Sequence, residues 1–219
     1  MHAWVRVSLL VCTLAAAAHS GSAAAASLSS SGITFSDELG GFKIVSAAGS
    51  GTLADPFVVV EEITGPQEPV LVIRGLSAAF GNRIGSHHLT GFALTKIVVN
   101  KTDDDWNLFE MELRETLDHQ SPYGDGLSFG QGSAVGHPFT SDKFPTVNET
   151  DEPSDSVAFR DATVHPGESV SFNLVITDTS PVSPFLLLQQ PTRIVAVGPQ
   201  PLLALAATGA RVAPTNHLH

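Results

Sequence analysis

Cysteine occurs once in the 219 residues, at Cys12. A single thiol excludes an intrachain disulfide and any Cys-based zinc site. Basic residues are scarce as well: 11 Lys and Arg stand against 22 Asp and Glu, a formal net charge of −11. Neutralising phosphates takes clustered Lys and Arg, so this balance excludes a nucleic-acid binder and argues equally against docking on anionic lipid. Charged residues make up 15% of the chain and apolar residues 42%, a mixture that excludes wholesale disorder. Complete catalytic motifs are missing too. There is no phosphate-cradling Gly-Lys-Ser/Thr and no dinucleotide fingerprint. The text nearest to a Gly-x-Ser-x-Gly nucleophile turn, Gly130-Gln131-Gly132-Ser133-Ala134-Val135-Gly136, does not match it and reads as a flexible glycine loop.

What is present begins with an export signal. Arg6 and the α-amino group make a weakly positive start, Val7 to Ala18 is a short apolar run, and small residues follow as far as Ala23-Ala24-Ala25-Ala26. The small-x-small pattern predicts cleavage near Ala26, with Ala16-x-Ala18 as an earlier site. The run is well short of the roughly 20 apolar residues a bilayer requires, so no stable membrane span is expected in the mature chain. Cys12 follows Leu9-Leu10-Val11. Branched Val11 stands where a lipoprotein site takes a small residue, so Cys12 reads as apolar filler. Residues 193–219, rich in Pro and Ala, read as a frayed tail or a degenerate sorting signal.

Between the ends the periodicity is that of strands. In Phe109 to Leu117, Phe109, Met111, Leu113 and Leu117 are apolar and the residues between them polar. Successive strand side chains point to opposite faces, so this predicts a half-buried strand with a wet outer face. Ser169 to Thr177 repeats the pattern with the even positions inside, between Pro166-Gly167 and Asp178-Thr179-Ser180-Pro181. Phe57 to Ile63, Val70 to Arg74 and Phe92 to Val99 are β-branched, nearly continuous apolar runs, suited to central strands covered on both faces or to strands near the middle of a sandwich. Phe185 to Gln190 predicts a closing strand stopped by Pro191. No stretch of ten residues after the signal carries a helical period, and the 19 Gly and 14 Pro are scattered between runs, as frequent turns demand. The expectation is an all-β fold: an antiparallel, Greek-key-like sandwich over residues 27–192, after a cleaved signal at 1–26. Pro122 to Pro153 reads as one long excursion, functional or mobile.

Candidate chemistry is sparse. Asp103-Asp104-Asp105-Trp106-Asn107 sets oxygen ligands at alternate positions, as the start of a calcium loop would, and makes Asp103, Asp105 and Asn107 the candidate metal ligands. The match ends there, because the sixth position is Leu108 in place of Gly and the twelfth is Arg114 in place of Glu. The competing reading is an acidic hairpin turn with Trp106 folded back onto the sandwich. His87 and His88 are neighbours that regular strand structure points apart, and assembly of a site from His119 and His137 stays open. Glu61-Glu62 and the Glu110/Glu112 pair are carboxylates in strands. The latter share a face about 7 Å apart, a separation glycosidases use only inside a cleft; on a polar face they read as solubilising charges. Asn100-Lys101-Thr102 and Asn148-Glu149-Thr150 fit the glycosylation sequon in expected loops.

Thr90-Gly91-Phe92 through Leu113, with Val98-Val99-Asn100-Lys101-Thr102 and Trp106-x-x-Phe109-x-x-x-Leu113, resembles the strand–turn–strand of bacterial exported proteins with PEP-CTERM sorting tails. Gly167-Glu168-Ser169-Val170-Ser171-Phe172 and Phe185-x-Leu187-x-Gln189-x-Pro191-Thr192 are similar to the closing strands of that group. Pro199-Gln200-Pro201, a short apolar run and Arg211 sit where its Pro-Glu-Pro motif, membrane helix and basic end would stand. Gln200 replaces the Glu, and one Arg follows a run about half the length of a membrane helix, so loss of sorting and membrane retention is implied. The resemblance implies an extracytoplasmic β-sandwich tied to surface matrix or exopolysaccharide, and no catalytic residues.

The leading functional expectation is therefore a secreted, non-enzymatic module, periplasmic or extracellular, that interacts with polysaccharide or with surface and matrix proteins. The alternative is a calcium-dependent protein or hydrolase using Asp103–Asp105 and the 122–153 excursion. A third is an assembly factor that captures partner strands at an open sheet edge.

Overall fold

The computed structural model describes residues 25–130, 139–150 and 153–193. Residues 1–24 of the expected signal, the Pro/Ala-rich tail beyond Arg193 and His137 lie outside the described residues. Along the chain the strands are β1 (Ser27–Ser30), β2 (Ile33–Ser36), β3 (Phe42–Ala48), β4 (Phe57–Ile63), β5 (Val70–Arg74), β6 (Thr90–Asn100), β7 (Trp106–Arg114), β8 (Leu127–Phe129), β9 (Thr140–Ser141), β10 (Thr146–Thr150), β11 (Ser156–Val164), β12 (Ser169–Asp178) and β13 (Phe185–Thr192). They form two sheets. One has the order β1-β2-β5-β13-β7-β11-β10, the other β3-β4-β6-β12-β8, with β9 also paired to β12. The only helical element among the described residues is one 3-10 turn, Tyr123–Asp125.

Alternation explains how the two layers close. On β7 the inward set is Trp106, Phe109, Met111 and Leu113; on β12 it is Val170, Phe172, Leu174 and Ile176. The rings of Phe109 and Phe159 from the larger sheet approach Phe172 from the smaller one, with centroids 4.6 and 4.7 Å apart. Contacts this close, at tilts of 40° and 56°, add aromatic complementarity to the apolar area removed from water. Trp106 is buried despite its opposite parity to Phe109. Beside it the register with β11 is irregular, with four steps from Arg160 to Val164 against two from Leu108 to Trp106, a local disruption of the ladder of the kind bulges make.

The structure departs from the sequence reading at several points. The smaller sheet is mixed, because β4 and β6 run parallel: the chain leaves β4, adds β5 to the other sheet, and returns in the same direction. β4 is buried on one face, with Phe57, Val59, Glu61 and Ile63 inward, so of the two arrangements its apolar run suited, coverage on both faces does not hold. Leu117 lies past the end of β7 and is 48% exposed. β13 lies between β5 and β7, and it passes through Pro191, which still pairs with Phe109. The 122–153 excursion supplies β8 and β9 to β12 and β10 to β11, so much of it is sheet edge. On the outer face of the larger sheet, Val70, Val72, Leu186 and Leu188 form a small separate buried cluster.

Candidate functional site

Asn100 ends β6 facing inward, fully buried, and its side chain shapes the turn that follows. Its Nδ2 donates to the carbonyls of Asp104 (2.8 Å) and Val164 (3.1 Å), and its Oδ1 accepts from the Thr102 amide (3.0 Å) and hydroxyl (2.7 Å). The carboxamide thus satisfies backbone groups that strand pairing has released, an Asx-type arrangement. It also removes Asn100 from reach as a glycosylation acceptor in the folded chain, while Asn148 is exposed on β10, a strand where the sequence suggested a loop. The acidic turn is tied down further at Asp105, whose Oδ1 lies 2.8 Å from His165 Nδ1. Trp106 turns back into the core, edge-on to Phe109, as the hairpin reading expects.

This turn forms one wall of a cleft of about 790 Å³ at one end of the sandwich. The β4–β5 connection, Thr64 to Pro69, forms a second wall, and the end of β13, Gln189 to Arg193, a third. Gln190 Nε2 donates to Glu68 Oε1 at 2.6 Å, linking two of the walls, and the Gln189 amide donates to the Pro69 carbonyl at 2.9 Å. The lining is rich in carboxylates, carboxamides and hydroxyls. Of the proposed metal ligands, Asp103 and Asp105 line the cleft together, whereas Asn107 sits within β7, half-buried and off the cleft wall. Among the described residues no group of three His, Cys, Asp or Glu side chains is placed to hold a metal ion. His119 pairs locally with the exposed Asp118.

Behind the cleft lies an arrangement that the sequence reading passed over. Lys96 on β6 and Glu61 on β4 are both wholly buried, with Nζ and Oε1 2.5 Å apart. Gln189, also buried and part of the cleft lining, donates from Nε2 to Glu61 Oε2 at 2.9 Å. Its Oε1 has no hydrogen-bond partner. Burial pulls the Lys96 ammonium below the ordinary lysine value, with Glu61 opposing that shift, because desolvation penalises the charged form and an opposite charge favours it. The signal was available as parity. Lys96 shares the inward set with Phe92, Leu94 and Val98, and Glu61 shares one with Phe57, Val59 and Ile63. Two opposite charges, each on the apolar side of an alternating strand, predict a buried pair.

A two-sheet all-β protein with a polar cleft at one end is the class that fold and site define. Compared with protein-family models, with curated proteins and with solved structures, the chain matches none of them.

Proposed function

We propose that the chain is an exported, Greek-key-like β-sandwich that acts as a non-catalytic binding module at the cell surface or in the extracellular matrix, with polysaccharide as its ligand. The end cleft, with its hydrogen-bonding lining, carries this reading. Sugar hydroxyls both donate and accept, and a wall of carboxylates, carboxamides and hydroxyls offers both functions at once. The cleft volume of about 790 Å³ falls within the range of small-molecule sites and suits a few sugar units of a longer chain. Export rests on residues 1–26, and the Greek-key reading on the alternation of β4, β5, β6 and β7 between the two sheets.

Affinity electrophoresis of the purified mature chain through gels containing acidic and neutral polysaccharides tests the proposal. Retardation that is relieved by free oligosaccharide is the expected result. Free migration in every gel, with turnover of a small substrate instead, rejects it. The calcium-dependent alternative draws on Asp103 and Asp105, which share the cleft wall, and a calcium titration followed by thermal melting separates it from the leading reading.

A further inference from the structure

A protein without a disulfide can still hold a covalent staple between its sheets, for example an amide joining a lysine amine to a side-chain carboxamide. The groups for it are present. One buried carboxylate, Glu61, holds the amine of Lys96 on Oε1 at 2.5 Å and the carboxamide of Gln189 on Oε2 at 2.9 Å. All three side chains are fully buried. Lys96 and Glu61 belong to the smaller sheet and Gln189 to the larger, so a bond between amine and carboxamide would cross the core. We propose that Lys96 and Gln189 become joined by an intramolecular isopeptide bond, with Glu61 as the proton carrier.

The chemistry balances with no further reactant. Glu61 takes one proton from the Lys96 ammonium. The freed amine pair attacks Gln189 Cδ, forming the N–C bond while the carbonyl π pair moves onto Oε1, the atom that has no hydrogen-bond partner. Glu61 passes its proton to Nε2 and takes a second one from Nζ. The carbonyl re-forms, the Cδ–Nε2 bond breaks, and ammonia leaves by way of the cleft that Gln189 lines. An ammonium, a carboxylate and a carboxamide become a secondary amide, a carboxylic acid and ammonia. Two features of the site favour this course. Burial lowers the affinity of Lys96 for its proton, with Glu61 opposing that shift, and Glu61 Oε1 stands beside Nζ to receive it. The product also replaces a buried ion pair, with its desolvation cost, by neutral groups.

The inference does not depend on what the cleft binds, since the Gln189 side chain is fully buried. Intact-mass spectrometry of the folded, then denatured, full chain tests it, with a peptide map to fix both termini. A deficit of one ammonia, together with a joined peptide pair containing Lys96 and Gln189, is expected. Glu61→Gln should restore the full sequence mass and separate the two peptides. Lys96→Arg keeps the charge but cannot form the bond, and should do the same. If the variants fail to fold, the wild-type chain decides alone. Full sequence mass with Lys96 and Gln189 recovered in separate peptides overturns the proposal, as does a deficit that maps elsewhere.

Discussion

Lys96 Nζ and Glu61 Oε1 meet 2.5 Å apart on neighbouring parallel strands, and neither side chain reaches solvent. A buried ion pair of this kind stabilises little over an apolar replacement, but losing one partner strands the other charge. In a Gln189→Ala background, where no amide can form and the pair stays ionic, Lys96→Met is therefore expected to cost about 3–5 kcal/mol in denaturant unfolding. Adding Glu61→Leu should return part of that loss, because it removes the orphaned carboxylate. A double variant no more stable than Lys96→Met would show that the pair is not coupled.

The cleft reading makes a separate demand. Asp103 and Gln190 are exposed on its walls, so trimming them should disturb binding and spare the fold. Each of Asp103→Ala and Gln190→Ala should weaken polysaccharide binding by roughly 2- to 10-fold, the equivalent of one net hydrogen bond. The melting midpoint should stay within about 2 °C of the parent. Unchanged retardation in both variants would place the ligand elsewhere.

Divalent cations provide a third check. A ligand bound only by the folded state adds RT ln(1 + [L]/Kd) to stability. Asp105 already faces His165 and Asn107 lies off the cleft wall, so saturating calcium or zinc should leave the midpoint unchanged. A rise with calcium would revive the metal-dependent alternative built on Asp103 and Asp105.

At the other end of β7, burial, followed by the charges of Asp125 and Asp178, raises the Glu115 carboxyl above its ordinary value of 4.5. Burial likewise raises Asp178, against the Ser180 and Val182 amides that it accepts from. For a raised carboxyl the charged form is the one the fold penalises. The associated stability is complete below the ordinary value and is lost as pH rises through the raised one. Glu115→Gln should thus stabilise the chain near pH 7 by at most ~1 kcal/mol and have no effect near about pH 3, where the carboxyl is protonated in both states. Melts of both proteins across that range would detect it; a larger gain at the acid end would reverse the sign of the argument.

The strands were legible where one face of a run stayed apolar. Phe109, Met111 and Leu113 point inward on β7 as their spacing predicts, and so do Val170, Phe172, Leu174 and Ile176 on β12. Val70 to Arg74 spans a strand with both faces covered, as its unbroken run suggested. The short edge strands β8, β9 and β10 were not legible, because two to five residues carry too little pattern to stand out from a turn. Of the site, the acidic turn and the inward fold of Trp106 were readable. The walls completing the cleft were not, since they come from segments far apart in the chain.

Alternation is a property of each strand by itself, as successive side chains must leave an extended backbone on opposite sides. That is why the sequence alone determined an all-β chain and which residues of β7 and β12 face inward. It could not say which strands would be neighbours. Lys96 and Glu61 are 35 positions apart and Gln189 is 128 from Glu61, so only the packing of one sheet on the other decided that a buried amine, a carboxylate and a carboxamide would meet behind a polar cleft.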